Sequence, residues 1–290
     1  MARKPVKKKA PVKSTGHSWD GIEELDTPMP RWWVWTFYLT IIWGIGYLIA
    51  MPAIPLVHGA TPGLLGKSSR ADVAAEIAAV KAKNAPLDEK INGMELSKIA
   101  SDPEVGAYAI NGGHAVFQTF CIQCHGSGAE GSKGFPNLLD DDWLWGGTID
   151  DIYTTVKHGI RSEDDDDTRL SDMPVFGDDY LSDEEIASAA QFVLSLSNRQ
   201  TDPALAEAGA VVFEDNCAAC HGEDAKGGRE VGAPNLTDSI WLYGGDLATI
   251  TETITNSRHG VMPAWSVDGK LSEAQIRQVA VYVHQLGGGE

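Results

Sequence analysis

The chain has 290 residues, 43% of them hydrophobic and 22% charged, more than one small domain needs and enough for two compact domains with an anchor. Its net charge of −18 is unevenly spread, because residues 1–31 hold 7 basic side chains against 4 acidic ones and so carry +3, leaving −21 on the remainder. A body that acidic excludes nucleic acid as a partner, since phosphate binding needs clustered Lys and Arg on the folded part, and it favours a basic protein partner.

Residues 1–31 read as an N-terminal cytoplasmic segment. After Arg31 comes WWVWTFYLTIIWGIGYLIAMPAI, 23 residues without a charge. As a helix this run is roughly 35 Å long against a hydrocarbon core of about 30 Å, so residues 32–57 are expected to cross a membrane once. Arg3, Lys4, Lys7, Lys8, Lys9, Lys13 and Arg31 precede it and no Lys or Arg follows before Lys67. That bias puts the N-terminus in the cytoplasm and exports everything after Val57. Trp32, Trp33, Trp35, Phe37 and Tyr38 suit the headgroup level at the cytoplasmic end. A cleaved signal peptide fits less well: the leading segment is long, the apolar run exceeds an ordinary signal core, and no clean A-x-A site follows. Gly44 and Gly46 offer a face on which another membrane helix can pack closely.

Residues 58–107 form a connecting segment, with helical spacing of Ala, Val and Ile over Ala71–Ala82 and helix breakers at Asn84 and Pro86. The second half is a repeat. Gly113, Phe117, Cys121, Cys124 and His125 align with Gly209, Phe213, Cys217, Cys220 and His221. Further on, Pro136-Asn137-Leu138 matches Pro234-Asn235-Leu236, Trp143 matches Trp241, and Gly146-Gly147 matches Gly244-Gly245. Each copy then predicts a helix, at Ile149–Val156 and Leu247–Ile254, followed by a Met-Pro pair. Each closes with an amphipathic helix opened by a capping box, Ser182 with Glu185 and Ser272 with Gln275. The copies are expected to be tandem domains over 108–199 and 200–290, joined at Asn198–Pro203.

Each C-x-x-C-H is the signature of c-type haem attachment. Two Cys three apart share one side of a helical turn, where their thiols can form thioethers with the porphyrin vinyl groups, and the following His shares that face and reaches the iron. A thioredoxin-like pair does not call for the adjacent His, and a shared zinc site would have to join equivalent points of two similar domains. All four cysteines are thus assigned to two covalent haem c groups, with His125 and His221 as iron ligands. The candidate sixth ligands are Met173 and Met262, which hold matching places before a proline, and no other Met lies in either domain. His158, His259 and His284 are the rival ligands, while His114 reads as an ordinary exposed side chain. Whether each Met serves the haem of its own domain or of the other stays open, since His125 to Met173 spans 48 residues and His221 to Met262 spans 41.

Supporting residues follow from the same chemistry. Pro136 and Pro234 can offer a carbonyl to the haem His N–H. The pairs Gly113/Phe117 and Gly209/Phe213 are expected to cross the closing helices at Phe192 and Tyr282, respectively. The run Glu163-Asp164-Asp165-Asp166-Asp167 can steer a basic electron donor or simply be a solvated loop.

The tandem C-x-x-C-H and Met-Pro pattern resembles two class I cytochrome c domains, which implies a mainly α fold behind the N-terminal anchor. With WWVWTFYLTIIWGIGYLI, NLLDDDWLWGG and NLTDSIWLYGG, nearly the whole chain resembles the dihaem subunit III of the cbb3-type cytochrome c oxidases. The resemblance implies a single-pass protein of the bacterial inner membrane with periplasmic haem domains. It also implies partners: a monohaem cytochrome c subunit, a haem-copper catalytic subunit that reduces dioxygen, and a soluble or membrane-bound cytochrome c donor. Outer-sphere electron transfer in a proton-pumping complex is then expected, with no bond made on this chain and no catalytic residue in the enzymatic sense. His/Met ligation suits it by raising the potential. Two other readings of the residues are an independent membrane-tethered electron shuttle and a dihaem cytochrome c peroxidase, the latter disfavoured by the two similar Met loops.

Overall fold

The computed structural model describes residues 12–197 and 199–290, so the basic cluster Arg3–Lys9 and Asn198 lie outside the described residues. The chain divides into two compact units, Met1–Lys83 and Asn84–Glu290.

The first unit opens with an antiparallel hairpin, β1 (Ser14–Trp19) and β2 (Ile22–Leu25). Asp20 and Gly21 both have positive φ, at 50° and 83°, which is the two-residue turn that suits strand twist. Helix α1 (Arg31–Ala50) follows and is the one helix among the described residues that is long and apolar enough to cross a membrane, with mean hydropathy 1.5 and no buried residue. Its 20 residues span about 30 Å. The helix stops short of the expected Val57 because Pro52 and Pro55 each lack an N–H donor. The chain instead turns back through β3 (Pro55–Leu56) and β4 (Gly59–Ala60), and Leu64 and Leu65 donate to the free carbonyls of Ile49 and Ala50.

Helix α2 (Ser69–Gly93) runs through Pro86, where the sequence predicts a break. Tertiary contacts outweigh the lost hydrogen bond: past the proline, Ile91 is fully buried with Leu96, Ile99, Val105 and Ala109, and Lys90 reaches Asp102 and Glu104 at 3.0 and 2.7 Å. Tyr108 Oη donates to Asp88 at 2.8 Å, and Arg277 Nε donates to the Ile91 carbonyl at 3.0 Å.

After the short α3 (Leu96–Ile99), each repeat supplies an opening helix, a C-x-x-C-H turn, a middle helix and a closing helix. In the first copy these are α4 (Gly106–Val116), α5 (Ile122–His125), α6 (Ile149–His158) and α7 (Asp183–Leu196). In the second they are α8 (Pro203–Asn216), α9 (Ala218–His221), α10 (Leu247–Asn256) and α11 (Glu273–His284). The middle helices extend two residues past the predicted ends, and both predicted capping boxes form.

The closing helices are exchanged. Helix α7 packs on α8 and α10, and α11 packs on α4 and α6. One core therefore joins Ile186, Ala190, Val193 and Leu194 of α7 to Phe213, Ile250 and Ile254. The other joins Ile276, Ala280 and Val283 of α11 to Val116, Phe117, Ile152 and Val156. The expected crossing partners are corrected accordingly. A Cβ on Gly113 would collide with the Gln278 carbonyl and lie 2.6 Å from Tyr282 Cβ, and one on Gly209 would strike the Ser188 carbonyl and lie 2.9 Å from Phe192 Cβ. Phe117 thus meets Tyr282 at 5.5 Å between ring centroids, and Phe213 meets Phe192 at 5.2 Å. Tandem order in the sequence does not become side-by-side closure in space.

Candidate haem sites

The two attachment turns are built alike. In the first, the backbone between α4 and α5 widens into one π-helical turn, Phe117–Cys121, with Ile122 N–H donating to the Phe117 carbonyl. Such bulges re-aim the side chains that follow them. In the second, α8 ends at Asn216 and α9 begins directly after Cys217. Both turns stop at a glycine with φ of 80°, Gly126 and Gly222, a conformation that costs glycine nothing. The loops then fold back through matching hydrogen bonds, the second with two more residues between its His and its Pro. Gly131 N–H donates to the His125 carbonyl and Gly227 N–H to that of His221, both at 2.8 Å. Leu138 pairs with Ala129 and Leu236 with Ala225, again at 2.8 Å.

This return loop orients the histidines. His125 Nδ1–H donates to the Pro136 carbonyl at 3.1 Å, and His221 Nδ1–H to the Pro234 carbonyl at 3.2 Å, as the prolines' spacing predicts. The bond fixes the tautomer and leaves Nε2 as the lone-pair nitrogen. Burial lowers both imidazole pKa values, against the opposing pull of the proline carbonyls, so the rings stay neutral and able to bind a metal at neutral pH.

The first Cys of each motif is half-buried and the second exposed, and all four are free. Burial, with a smaller contribution from the neighbouring Cys, pushes the Cys121 and Cys217 thiols up to about 11. A redox-active pair needs the opposite, a thiolate stabilised near neutral pH. Among the described residues, the two motifs do not bring their ligand atoms into one metal-binding cluster.

The methionines complete the picture in exchanged form. Met262 lies on the core that holds Cys121, Ile122, Leu138 and Trp143, and Met173 on the core that holds Cys217, Ala218 and Trp241. The backbone fixes both loops there. Met262 and Ile160 exchange N–H···O bonds at 2.9 and 3.0 Å, and Trp265 and Ser266 donate to the Val156 and Lys157 carbonyls at the end of α6. Gly177 N–H donates to the Thr255 carbonyl at 2.9 Å, and Ser257 Oγ to the Met173 carbonyl at 2.5 Å, at the end of α10. The rival histidines have other partners. His158 Nδ1 lies 3.1 Å from Asp165, His259 Nδ1 lies 3.8 Å from Asp172, and His284 Nε2 lies 2.9 Å from the Glu290 carbonyl. His114 is exposed and rests against Tyr282.

The donor set fits haem c in both copies: two free thiols, a neutral imidazole with Nε2 available, and a thioether on the same core. The repeated W-x-x-G-G has a steric reason, since a Cβ on Gly147 or Gly245 would lie 2.5 or 2.6 Å from the indole of Trp143 or Trp241. Trp143 Nε1–H in turn donates to the Gly288 carbonyl.

Two features escape a motif reading. A cleft of about 560 Å³ separates the segment after the first haem loop from the second haem loop, lined by Asp141, Asp142, Lys226, Arg229, Asn235 and Asp238. Burial, then the carboxylates of Asp238, Asp140 and Asp141, push the Asp142 carboxyl up to about 6 against the pull of Arg229. The acidic run is also more ordered than a solvated loop requires, with Asp165 accepting from Asp167 N–H at 2.8 Å and facing His158, and Lys270 lying 3.7 Å from Asp164.

Residues 12–58 match the family described as the N-terminal domain of cytochrome oxidase-cbb3, FixP, and residues 109–193 and 204–283 match cytochrome C oxidase, cbb3-type, subunit III. The chain is 59% identical over 292 residues to a cbb3-type cytochrome c oxidase subunit CcoP of Cereibacter sphaeroides, covering all of both chains. It is 57% identical over 298 residues to the subunit of that name from Rhodobacter capsulatus, again over all of both chains. With the FixP subunit of Rhizobium meliloti it shares 52% over 280 residues, 96% of each.

Proposed function

The chain belongs to the cbb3-type cytochrome c oxidase subunit III family, a cytochrome c electron-transfer subunit of that oxidase, and on that premise we propose that it relays electrons through two covalent haem c groups with exchanged axial ligands. Cys121, Cys124 and His125 would hold one group together with Met262, and Cys217, Cys220 and His221 would hold the other together with Met173. Bound there, haem c would supply one-electron chemistry between ferric and ferrous iron. The polypeptide's part is to place ligands and exclude water. Burial keeps each imidazole neutral while the Pro136 and Pro234 carbonyls aim it, the Trp143 and Trp241 indoles fill the space beside the W-x-x-G-G turns, and each closing helix packs over the other repeat's opening and middle helices. In sequence the two haem-binding segments follow 108–199 and 200–290, each lending its closing helix and Met loop to the other.

The observation that carries this reading is the pinning of each Met loop by backbone hydrogen bonds to the core around the other repeat's C-x-x-C-H. It would give each iron a thioether as sixth ligand, which supports electron transfer over peroxide chemistry, since the latter needs an open position. Helix α1 provides the membrane anchor, and the charge bias around it supports a cytoplasmic N-terminus with periplasmic haem domains. As an oxidase subunit the chain works with other subunits of the complex, and within it we assign electrons a path from a cytochrome c donor toward a monohaem cytochrome c subunit and the haem-copper subunit.

Intact mass and the visible spectrum test the haem assignment. The expected result is the polypeptide plus two haems, with a methionine-to-iron charge-transfer band in the oxidised protein. One haem, or no such band, would overturn it. Purification in mild detergent tests the partners, and a haem-copper subunit absent from the isolated protein would favour the independent shuttle.

A further inference from the structure

The two Met loops differ in how they leave their middle helices. The second copy passes His259-Gly260-Val261 and arrives at once at Met262, whereas the first passes His158-Gly159-Ile160 and has Arg161 at the equivalent place, reaching Met173 only 12 residues later. Ile160 is the residue that pairs with Met262 across the antiparallel bridge. Arg161 therefore stands where the two loops cross.

Its geometry there is specific. The Arg161 backbone has a φ of 52°, in the left-handed region that an arginine adopts only when its surroundings fix it. Its Nε–H donates to the Gly260 carbonyl at 2.8 Å, two residues before Met262, and its Nη1–H donates to the Ser171 carbonyl at 2.7 Å, two residues before Met173. Asp172 lies 3.8 Å from Nε, and only 18% of the side chain is exposed. A planar guanidinium with N–H groups diverging from a rigid fork can satisfy two carbonyls on separate segments at once, which a lysine ammonium on a flexible stem does not reproduce.

We propose that Arg161 is the positioning residue for both axial methionines, a single side chain clamping the two exchanged loops at their crossing. The proposal rests on reading Met173 and Met262 as ligands. It adds that the two haems share one mechanical support, so a change at a residue of the first repeat alters the ligand field of both. Other anchors lack this reach: Ser257 Oγ, for example, holds only the Met173 carbonyl.

The test compares Arg161→Gln, Arg161→Lys and Ser257→Ala in the full-length holoprotein, at a temperature well below its melting transition. Two readouts are taken, the methionine-to-iron charge-transfer band and a redox titration resolving both haems. Wild-type protein must show the band, and its absence there would sink the methionine assignment rather than the role of Arg161. Arg161→Gln is expected to lose more than half of the band and to lower both potentials. Arg161→Lys should fall between it and wild type, and Ser257→Ala should alter one haem only. Should the Gln variant fail to accumulate, the Lys variant alone decides. A band and two potentials equal to wild type in Arg161→Lys, or a shift confined to one haem in either Arg161 variant, would overturn the proposal.

Discussion

Exchange of the closing helices makes a quantitative prediction about which aromatic pairs are energetically coupled. Phe117 and Tyr282 are 5.5 Å apart and tilted by 54°, and Phe192 and Phe213 are 5.2 Å apart and tilted by 51°, inside the range where aromatic pairs attract. Each leucine substitution at these four positions should cost about 0.5–3 kcal/mol alone. In double-mutant cycles, Phe117/Tyr282 and Phe192/Phe213 should each show coupling of about 0.5–1.5 kcal/mol, since contacting rings carry that much beyond their buried area. The pairings within one repeat, Phe117/Phe192 and Phe213/Tyr282, should be additive to about 0.3–0.5 kcal/mol, because the exchanged cores share neither partner. Guanidinium titration of the detergent-solubilised holoprotein gives these values, followed by far-ultraviolet dichroism and by the haem band, and used only where both probes report one transition. Coupling within the repeats with none across them would show each copy closing on itself and would refute the exchange.

On the proposed ligand assignment, Met262→His should lower the potential of the haem on Cys121 and Cys124, and Met173→His that of the other, because imidazole is the stronger donor and favours ferric iron. In a Cys217→Ser, Cys220→Ser background the Met262→His shift should persist and the Met173→His shift vanish, and the reverse pattern would mean ligation within each repeat. Gly209→Ala drives a methyl onto the Ser188 carbonyl and should lower the denaturation midpoint, an overpacking cost of about 1–3 kcal/mol exceeding the about 1 kcal/mol of helix propensity gained. Gly93→Ala, with nothing within 4 Å of the added atom, should leave that midpoint unchanged or slightly raised. Asp142, with its carboxyl pushed up to about 6, stays protonated in the fold where the unfolded chain has already ionised. Stability should therefore fall as pH rises from about 4 to about 6 and level off above, and Asp142→Asn should abolish that slope and exceed wild type at pH 7, as seen by denaturation across that range.

Local chemistry in the sequence carries most of the site. C-x-x-C-H brings three of the proposed haem donors together by covalent spacing alone, the Pro136 and Pro234 carbonyls follow from where a return loop must pass, and the capping boxes at Ser182 and Ser272 start helices independently of what those helices pack against. The misses are tertiary. Pro86 reads as a stop, yet Ile91 and Lys90 have enough partners to hold the helix through it. The hairpin over Ser14–Leu25 is marked in the sequence only by Asp20-Gly21, because both strands are exposed throughout and carry no buried face to set a period of two. Arg161 carries no motif at all, because its importance comes from two carbonyls 89 residues apart in sequence.

The exchange itself has a cause that lies in the length of the join. Helix α7 ends at Leu196 and α8 begins at Pro203, capped by Asp202, whose side chain accepts from Ala204 and Leu205 N–H. Six residues between two helices favour an antiparallel pair, because so short a connection returns the chain beside the helix it has just left. The closing helix of the first copy is thus delivered to the opening helix of the second before any longer-range partner can compete, and loop-closure entropy rewards that local pairing. With α7 in the groove over α8, α11 closes over α4 and α6. Because each Met-Pro pair sits just ahead of its closing helix, it travels with it. Helix exchange and the exchange of Met loops are therefore one event, and the short join that makes two homologous repeats adjacent in the chain also makes each proposed haem site depend on both.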